Sequence, residues 1–155
     1  MSGLSHLDEQ GRARMIDVSG KPETAREACA EAVVALAPAT RRAVFAGELP
    51  KGDARAVVRL AAIMGAKRTA DLVPLCHPIE LSAVEADVVE TEGGARVEVR
   101  GRTTGRTGVE MEAMTGAALG AIALYDMVKG LDRGAEIGPI RLLRKSGGRS
   151  GEWSR

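Results

Sequence analysis

Three observations predict an α+β fold in which an antiparallel sheet carries helices on one face. The stretch "VEMEAMTGAALGAIALYDMVKGL" (109–131) is apolar, free of proline and too long for one strand. Ahead of it, "LSAVEADVVETEGGARVEVRGRTTG" (81–105) has alternating apolar positions on either side of Gly93-Gly94, the pattern of a hairpin. The apolar content is 45%, yet Phe45, Tyr125 and Trp153 are the only aromatic residues. The core must therefore be aliphatic, and with 155 residues one domain can bury roughly 70% of its unfolded surface.

Taken in order, residues 1–22 are polar apart from "MIDV" and read as a flexible arm, free to order on assembly. Residues 23–147 are expected to form the single domain, and residues 148–155 a glycine-rich basic tail. "ETAREACAEAVVAL" alternates at Ala28, Ala30, Ala32, Val34 and Leu36, which suits a strand, although its alanines suit a helix. Pro38 can open a short helix through "ATRRAVFAG". Asp53 is a fair N-cap for the next helix, where Val57, Leu60, Ala61 and Met64 fall at helical spacing, and Pro74 lies beyond its end. The hairpin strands offer Leu81, Val84, Val88 and then Val97, Val99. The long helix can end at Gly130 or Gly134. "EIGPIRLLRKSGG" is a final strand, with Pro139 pointing to an edge or a bulge. With the first segment as a strand, the order is β-α-β-β-α-β, the ferredoxin-like arrangement.

A net charge of +1 predicts no global nucleic-acid field. A ferredoxin-like RNA-binding module would need aromatic stacking residues on its central strands, and the expected ones have none. Cys29 and Cys76 are too few for a disulfide framework and read as reduced thiols. "MSGLSHLDEQ" lacks the apolar core of a signal peptide, and no apolar run approaches the ~20 residues of a membrane span. The expected location is the cytoplasm, with no membrane partner.

"DLVPLCHPIE" sets Cys76 and His77 side by side between Pro74 and Pro78. A structural zinc site would need further ligands from His6 and Cys29, far away in sequence. A thiol with its base would need two neighbouring side chains that an extended segment points apart. A stiff corner suits the residues better: the prolines fix the backbone, Cys76 packs inward and His77 faces a ligand. A surface histidine in a turn stays open as the plain alternative.

On the long helix, Glu112, Thr115, Leu119, Ile122, Asp126 and Lys129 lie near one stripe. Asp126 and Lys129 are one turn apart, either a solvated ion pair or, on a semi-buried stripe, an acid–base pair with Lys129 moved toward neutrality. "LPKGD" sets Lys51 beside a helix N-terminus, and "KSGGRSG" sets Lys145 and Arg149 among glycines; both patterns suit anions, though neither is a Walker motif. Arg102 and Arg106 in "GRTTGRTG" read equally well as strand charges. These basic loops also fit a noncatalytic nucleotide-binding protein, which leaves Asp126 and Lys129 unexplained.

"MIDVSGK", "KGD", "GAKRTADLVPLCHP", "TGVEMEAMTGA", "LYDMVK" and "IGPIRLLRKSGGRSG" together closely resemble the molybdenum cofactor biosynthesis C proteins, the cyclic pyranopterin monophosphate synthase family. The match runs from about Met15 to Gly151, and its motifs come in the family's order. The departures, at Ala32 to Leu36 and in the short C-terminal tail, lie outside those motifs. The resemblance implies a ferredoxin-like fold and a homohexamer built from dimers, with sites at subunit interfaces. It implies a small-molecule substrate, 3′,8-cyclo-7,8-dihydroguanosine 5′-triphosphate, converted by a lyase reaction to cyclic pyranopterin monophosphate with release of diphosphate. By the same resemblance Asp126 is the catalytic acid–base and Lys129 its partner. Leu75, Cys76, His77, Met111 and Glu112 contact substrate, and Lys51, Lys145, Arg26 and Asp17 are further site positions. No protein-bound metal or redox cofactor is expected; Mg2+ could accompany the substrate phosphates.

Overall fold

The computed structural model describes residues 6–155, so the first five residues of the expected arm lie outside the described residues. Nine elements follow: β1 (Thr24–Ala35), α1 (Pro38–Ala46), α2 (Ala54–Lys67), α3 (Thr69–Leu72), β2 (Ala83–Thr91), β3 (Gly94–Gly105), α4 (Glu110–Val128), β4 (Glu136–Ser146) and β5 (Trp153–Ser154). The sheet order is β2-β3-β1-β4-β5, with every neighbouring pair antiparallel. The first four strands and helices α2 and α4 form the expected β-α-β-β-α-β arrangement. Alternation therefore decided the first segment, and its alanines are strand residues. Sequence reading did not resolve α3, and strand β5 lies within the basic tail.

The core lies between the sheet and α2 and α4. Ala28, Ala30, Ala32 and Val34 of β1 and Ala95, Val97 and Val99 of β3 are buried with Val58, Ala62, Ala113, Ala117, Ala121 and Leu124. Small residues let the layers approach closely. A Cβ at Gly116 would stand 2.9 Å from the Ala62 carbonyl oxygen, and one at Gly120 would stand 2.7 Å from Val97 Cγ1. This seam corrects the expected core face of α2. Its buried face is Ala54, Val58, Ala62, Gly65 and Ala66. Val57, Leu60 and Met64 point outward, and Leu60 is 64% exposed. The close approach to α4 admits only the small side chains.

Local chemistry explains the ends. Pro38 occupies the first turn of α1, and Gly47, at φ 76°, ends it in the left-handed region. The Asp53 carboxylate caps α2 by accepting from the N–H groups of Arg55 and Ala56 at 2.9 and 3.1 Å. The hairpin turn falls one residue earlier than expected, at Glu92-Gly93, and Gly94 already pairs with Thr91. Gly94 (φ 152°) runs so close to β1 that a Cβ would sit 2.1 Å from the Val34 carbonyl oxygen. The register between β1 and β4 shifts between Ala32 and Val34, beside Gly138 and Pro139, which is the expected bulge. On the sheet face away from the helices, the buried Glu31 carboxylate is held by Arg141 Nε at 2.6 Å and Arg96 Nε at 3.5 Å.

No helix among the described residues is long and apolar enough to cross a membrane.

Candidate active site

A cavity of about 690 Å³ opens at the N-terminal end of α4. Its wall comes from the start of β1 (Thr24, Arg26), the loop after β3 (Arg106 to Gly108), the first turn of α4 (Glu110, Met111, Glu112), the corner Leu75–His77, residues between Ile16 and Pro22, and Gly148 to Ser150. The antiparallel register does the assembling. Arg26 pairs with Thr103, so the start of β1 meets the end of β3. Arg26 then donates from Nε to the Gly105 carbonyl at 3.0 Å and from Nη2 to the Arg106 carbonyl at 3.3 Å. Lys21, Arg26, Arg106 and Arg149 make this wall strongly cationic.

Glu112 is the unusual group. It is 4% exposed, and burial pushes its carboxyl up to about 7, with the Glu110 charge raising it further and its own backbone N–H opposing. Such a carboxyl exchanges a proton near neutrality. Its neighbour Glu110 accepts from Lys145 Nζ at 3.0 Å, and the same ammonium reaches Ser150 Oγ at 3.2 Å.

Cys76 and His77 both line the cavity, which corrects the expectation that only the imidazole would face a ligand. The corner is a turn rather than an extended run, since Cys76 N–H bonds the Val73 carbonyl at 3.1 Å. Burial, and then the nearby Glu112, push the Cys76 thiol up, so it stays protonated. His77 Nε2 lies 2.7 Å from the Ile16 carbonyl oxygen. A carbonyl can only accept, so Nε2 carries the proton and Nδ1 is left for other work. Asp17 is exposed and lies between the lining residues Ile16 and Val18 without lining the cavity itself. It accepts from Ser19 N–H at 2.8 Å, and that bond, with His77 nearby, holds its carboxyl below the usual range.

Lys51, Asp126 and Lys129 form a second cluster near the C-terminal end of α4. Lys51 Nζ donates to the Asp126 carbonyl oxygen at 2.7 Å and to Oδ2 at 2.9 Å, while Lys129 Nζ meets Oδ1 at 2.8 Å. Lys129, then Lys51, lower the Asp126 carboxyl to about 2, and Asp126 raises the Lys129 ammonium. Three expectations are corrected here. The stripe is not semi-buried at this end, where Asp126 is 55% exposed: Leu124, Met127 and Val128 hold the helix on the core, and Asp126 lies on the opposite, outward side with the exposed Ile122. Lys129 is moved away from neutrality, because the carboxylate favours its charged form. The helix N-terminus beside Lys51 is also not an open anion site, since Asp53 fills it.

The fold thus brings together Arg26, Leu75, Cys76, His77, Met111 and Glu112, with Lys145 bonded to the lining residue Glu110 and Asp17 exposed between the lining residues Ile16 and Val18. It keeps Lys51, Asp126 and Lys129 apart from these: fourteen residues of helix between Glu112 and Asp126 amount to roughly 21 Å. Lys21, Arg106 and Glu110 also shape the cavity but were not expected in it. Lys21 carries a sequence signal, the Gly20-Lys21 turn. Glu110 does not, since an acidic residue in a first helical turn is ordinary. Among the described residues, no group of three or more His, Cys, Asp or Glu side chains converges as metal ligands would.

These features define a ferredoxin-like α+β protein with a cation-walled cavity suited to a small polyanion and a buried carboxyl poised to move protons. A model of the MoaC family matches residues 15–148. A protein of Thermomicrobium roseum is 53% identical over 157 aligned positions, covering 100% of this chain and 95% of that protein. Proteins of Roseiflexus and Corynebacterium glutamicum are 52% and 49% identical over 99% of this chain. Each of the three is named cyclic pyranopterin monophosphate synthase. The chain belongs to the MoaC family.

Proposed function

We propose that this chain is a cyclic pyranopterin monophosphate synthase of molybdenum cofactor biosynthesis. It converts 3′,8-cyclo-7,8-dihydroguanosine 5′-triphosphate to cyclic pyranopterin monophosphate and releases diphosphate. The observation that carries the reading is Glu112, a buried carboxyl held near neutrality in a wall of cations. Rebuilding a pterin ring needs protons to move in both directions, which a group of this pKa serves. Closing a cyclic phosphate with loss of diphosphate needs charge stabilisation, and Lys21, Arg26, Arg106 and Arg149 are the chain's own counter-charges. The reading assigns the chain no metal of its own; Mg2+ would enter on the substrate phosphates.

Asp126 and Lys129 complete the catalytic set. As the free chain holds it, Asp126 is too weak a base, because two ammonium groups share its carboxylate. A substrate phosphate that draws Lys51 away returns Asp126 toward the usual carboxylate range and makes it a usable proton acceptor.

The separation along α4 calls for a second copy. Positions 112 and 126 are symmetric about Leu119. Leu119 itself packs on Gly65 of α2, so a two-fold contact near the middle of α4 runs over the outer side of α2 and carries Glu112 of one chain toward the end of α4 that bears Asp126 in the other. The outward face supports such a contact, because Val57, Leu60 and Met64 of α2 and Ile122 of α4 are exposed apolar residues. In this reading the enzyme is a homodimer with two shared sites; the family resemblance adds the assembly of three dimers into a hexamer, and the expected location is the cytoplasm. Incubating the purified chain with the cyclised GTP and measuring diphosphate tests the activity. A folded chain that releases none overturns it.

A further inference from the structure

The C-terminal tail is fastened at both ends. At its base Gly147 (φ 90°) and Gly148 (φ 70°) lie directly over the start of β1. A Cβ at Gly147 would stand 2.1 Å from the Ala25 carbonyl oxygen, and one at Gly148 would stand 2.1 Å from Arg26 Nη1. At its far end β5 pairs with β4, Lys145 opposite Trp153 and Arg144 opposite Ser154. Arg155 adds two bonds, from its N–H to the Leu143 carbonyl at 2.9 Å and from Nε to the Leu142 carbonyl at 3.1 Å. Its guanidinium lies 6.0 Å from the Trp153 ring centroid. Between these fastenings the chain turns, Gly151 N–H bonding the Gly148 carbonyl at 3.2 Å, and Arg149 and Ser150 join the cavity wall.

Trp153 contributes little to the core. It is 41% exposed and sits on the sheet edge, an odd place for the only tryptophan of the chain. Its position makes sense if the strand's work is to hold the loop. We infer that β5 is a positioning latch: Trp153 and Arg155 fix the loop 147–152 so that Arg149 and Ser150 stand in the cavity wall, and this sets the affinity for the phosphate end of the substrate. The latch rests on the proposed triphosphate substrate. Without β5 the loop becomes a free chain end, and each binding event must order it, which weakens binding without altering the reacting groups.

The experiment removes residues 153–155 from the full chain and, separately, replaces Arg149→Ala; a third variant combines both changes. Inorganic triphosphate is titrated calorimetrically, and KM and kcat are measured with the cyclised GTP. Truncation should weaken triphosphate binding about tenfold, the scale of one lost charge-assisted contact, and lower kcat/KM at least as much. Arg149→Ala should do the same, and the combined variant should be no worse than Arg149→Ala alone, because the latch acts through that side chain. Trp153→Phe should restore near-native affinity. In the native chain, Trp153 fluorescence should change when triphosphate binds. The latch is overturned if truncation leaves both kcat/KM and triphosphate affinity unchanged, if the two losses multiply, or if an active native chain does not bind triphosphate. A native chain that binds triphosphate with a working latch yet releases no diphosphate would instead overturn the proposed reaction.

Discussion

Replacing Glu112→Gln should make the protein more stable above neutral pH while abolishing its activity. The ionised carboxyl is costly where it is buried, so its pKa rises from 4.5 to about 7 on folding. Between those values the folded chain binds a proton that the unfolded chain has released. Stability is therefore fully supported below pH 4.5 and falls as pH rises through 7. At about 1.4 kcal/mol per pH unit the effect is at most about 3 kcal/mol. Water in the open cavity screens part of it, leaving about 2 kcal/mol. Glutamine keeps the shape and cannot ionise, so this loss should vanish. Urea unfolding of both proteins at pH 5, 6, 7 and 8, at one fixed protein concentration, reads the difference. Expected are similar stabilities at pH 5 and an advantage of about 2 kcal/mol for the variant at pH 8. Parallel profiles would mean that burial does not hold the proton on Glu112, and the argument for its acid–base role would lose its basis.

Asp126→Asn should abolish diphosphate release and leave circular dichroism unchanged; a folded variant with normal turnover would remove Asp126 from the chemistry. Lys51→Ala should raise the Asp126 pKa from about 2 toward 3.8, read by carboxylate NMR, with Lys129 still holding it below that value. The same change should weaken substrate binding by an amount that shrinks as salt is added, and equal affinities at low salt would count against a phosphate role. Mixing Glu112→Ala with Asp126→Asn under subunit exchange should restore partial activity, since a mixed dimer regains one intact site. Verified exchange without recovery would end the shared-site proposal. Gly120→Ala should cost about 1–3 kcal/mol in thermal unfolding, because its Cβ would press on Val97.

Much of the architecture was legible because it rests on short-range patterns. Proline at 38, the aspartate at 53, the alternation from Ala28 to Leu36 and the uninterrupted run of α4 each mark their element locally. The orientation of α2 was not legible. Both of its faces carry apolar residues at helical spacing, and only the closeness of α4 decides that the alanine face is buried. The site divides in the same way. Cys76, His77 and Glu112 announce themselves by residue type and setting. Arg149 is marked by the glycines around it and Arg26 by the family resemblance, but their meeting with Lys21 and Arg106 is not legible, because the four are scattered over most of the chain and come together only through sheet register and the returning tail. The exposure of Asp126 was equally hidden, since it depends on which side of the last turns of α4 the core takes, and that side is Leu124, Met127 and Val128.

Helix α4 also acts as a gauge. Glu112 and Asp126 differ by about 1400°, some 40° short of four whole turns, so the two carboxyls come into near phase on one side. The glycine–alanine seam beneath cannot slide or roll to absorb a change. One residue inserted between them would turn Asp126 by about 100° and carry it out of phase, although the added length is only about 1.5 Å. Seven inserted residues would restore the phase to within about 20° yet lengthen the span by about 10 Å. Angle and length can both be kept only at the present spacing, so this helix should tolerate substitution along its outer side far better than any change in residue number.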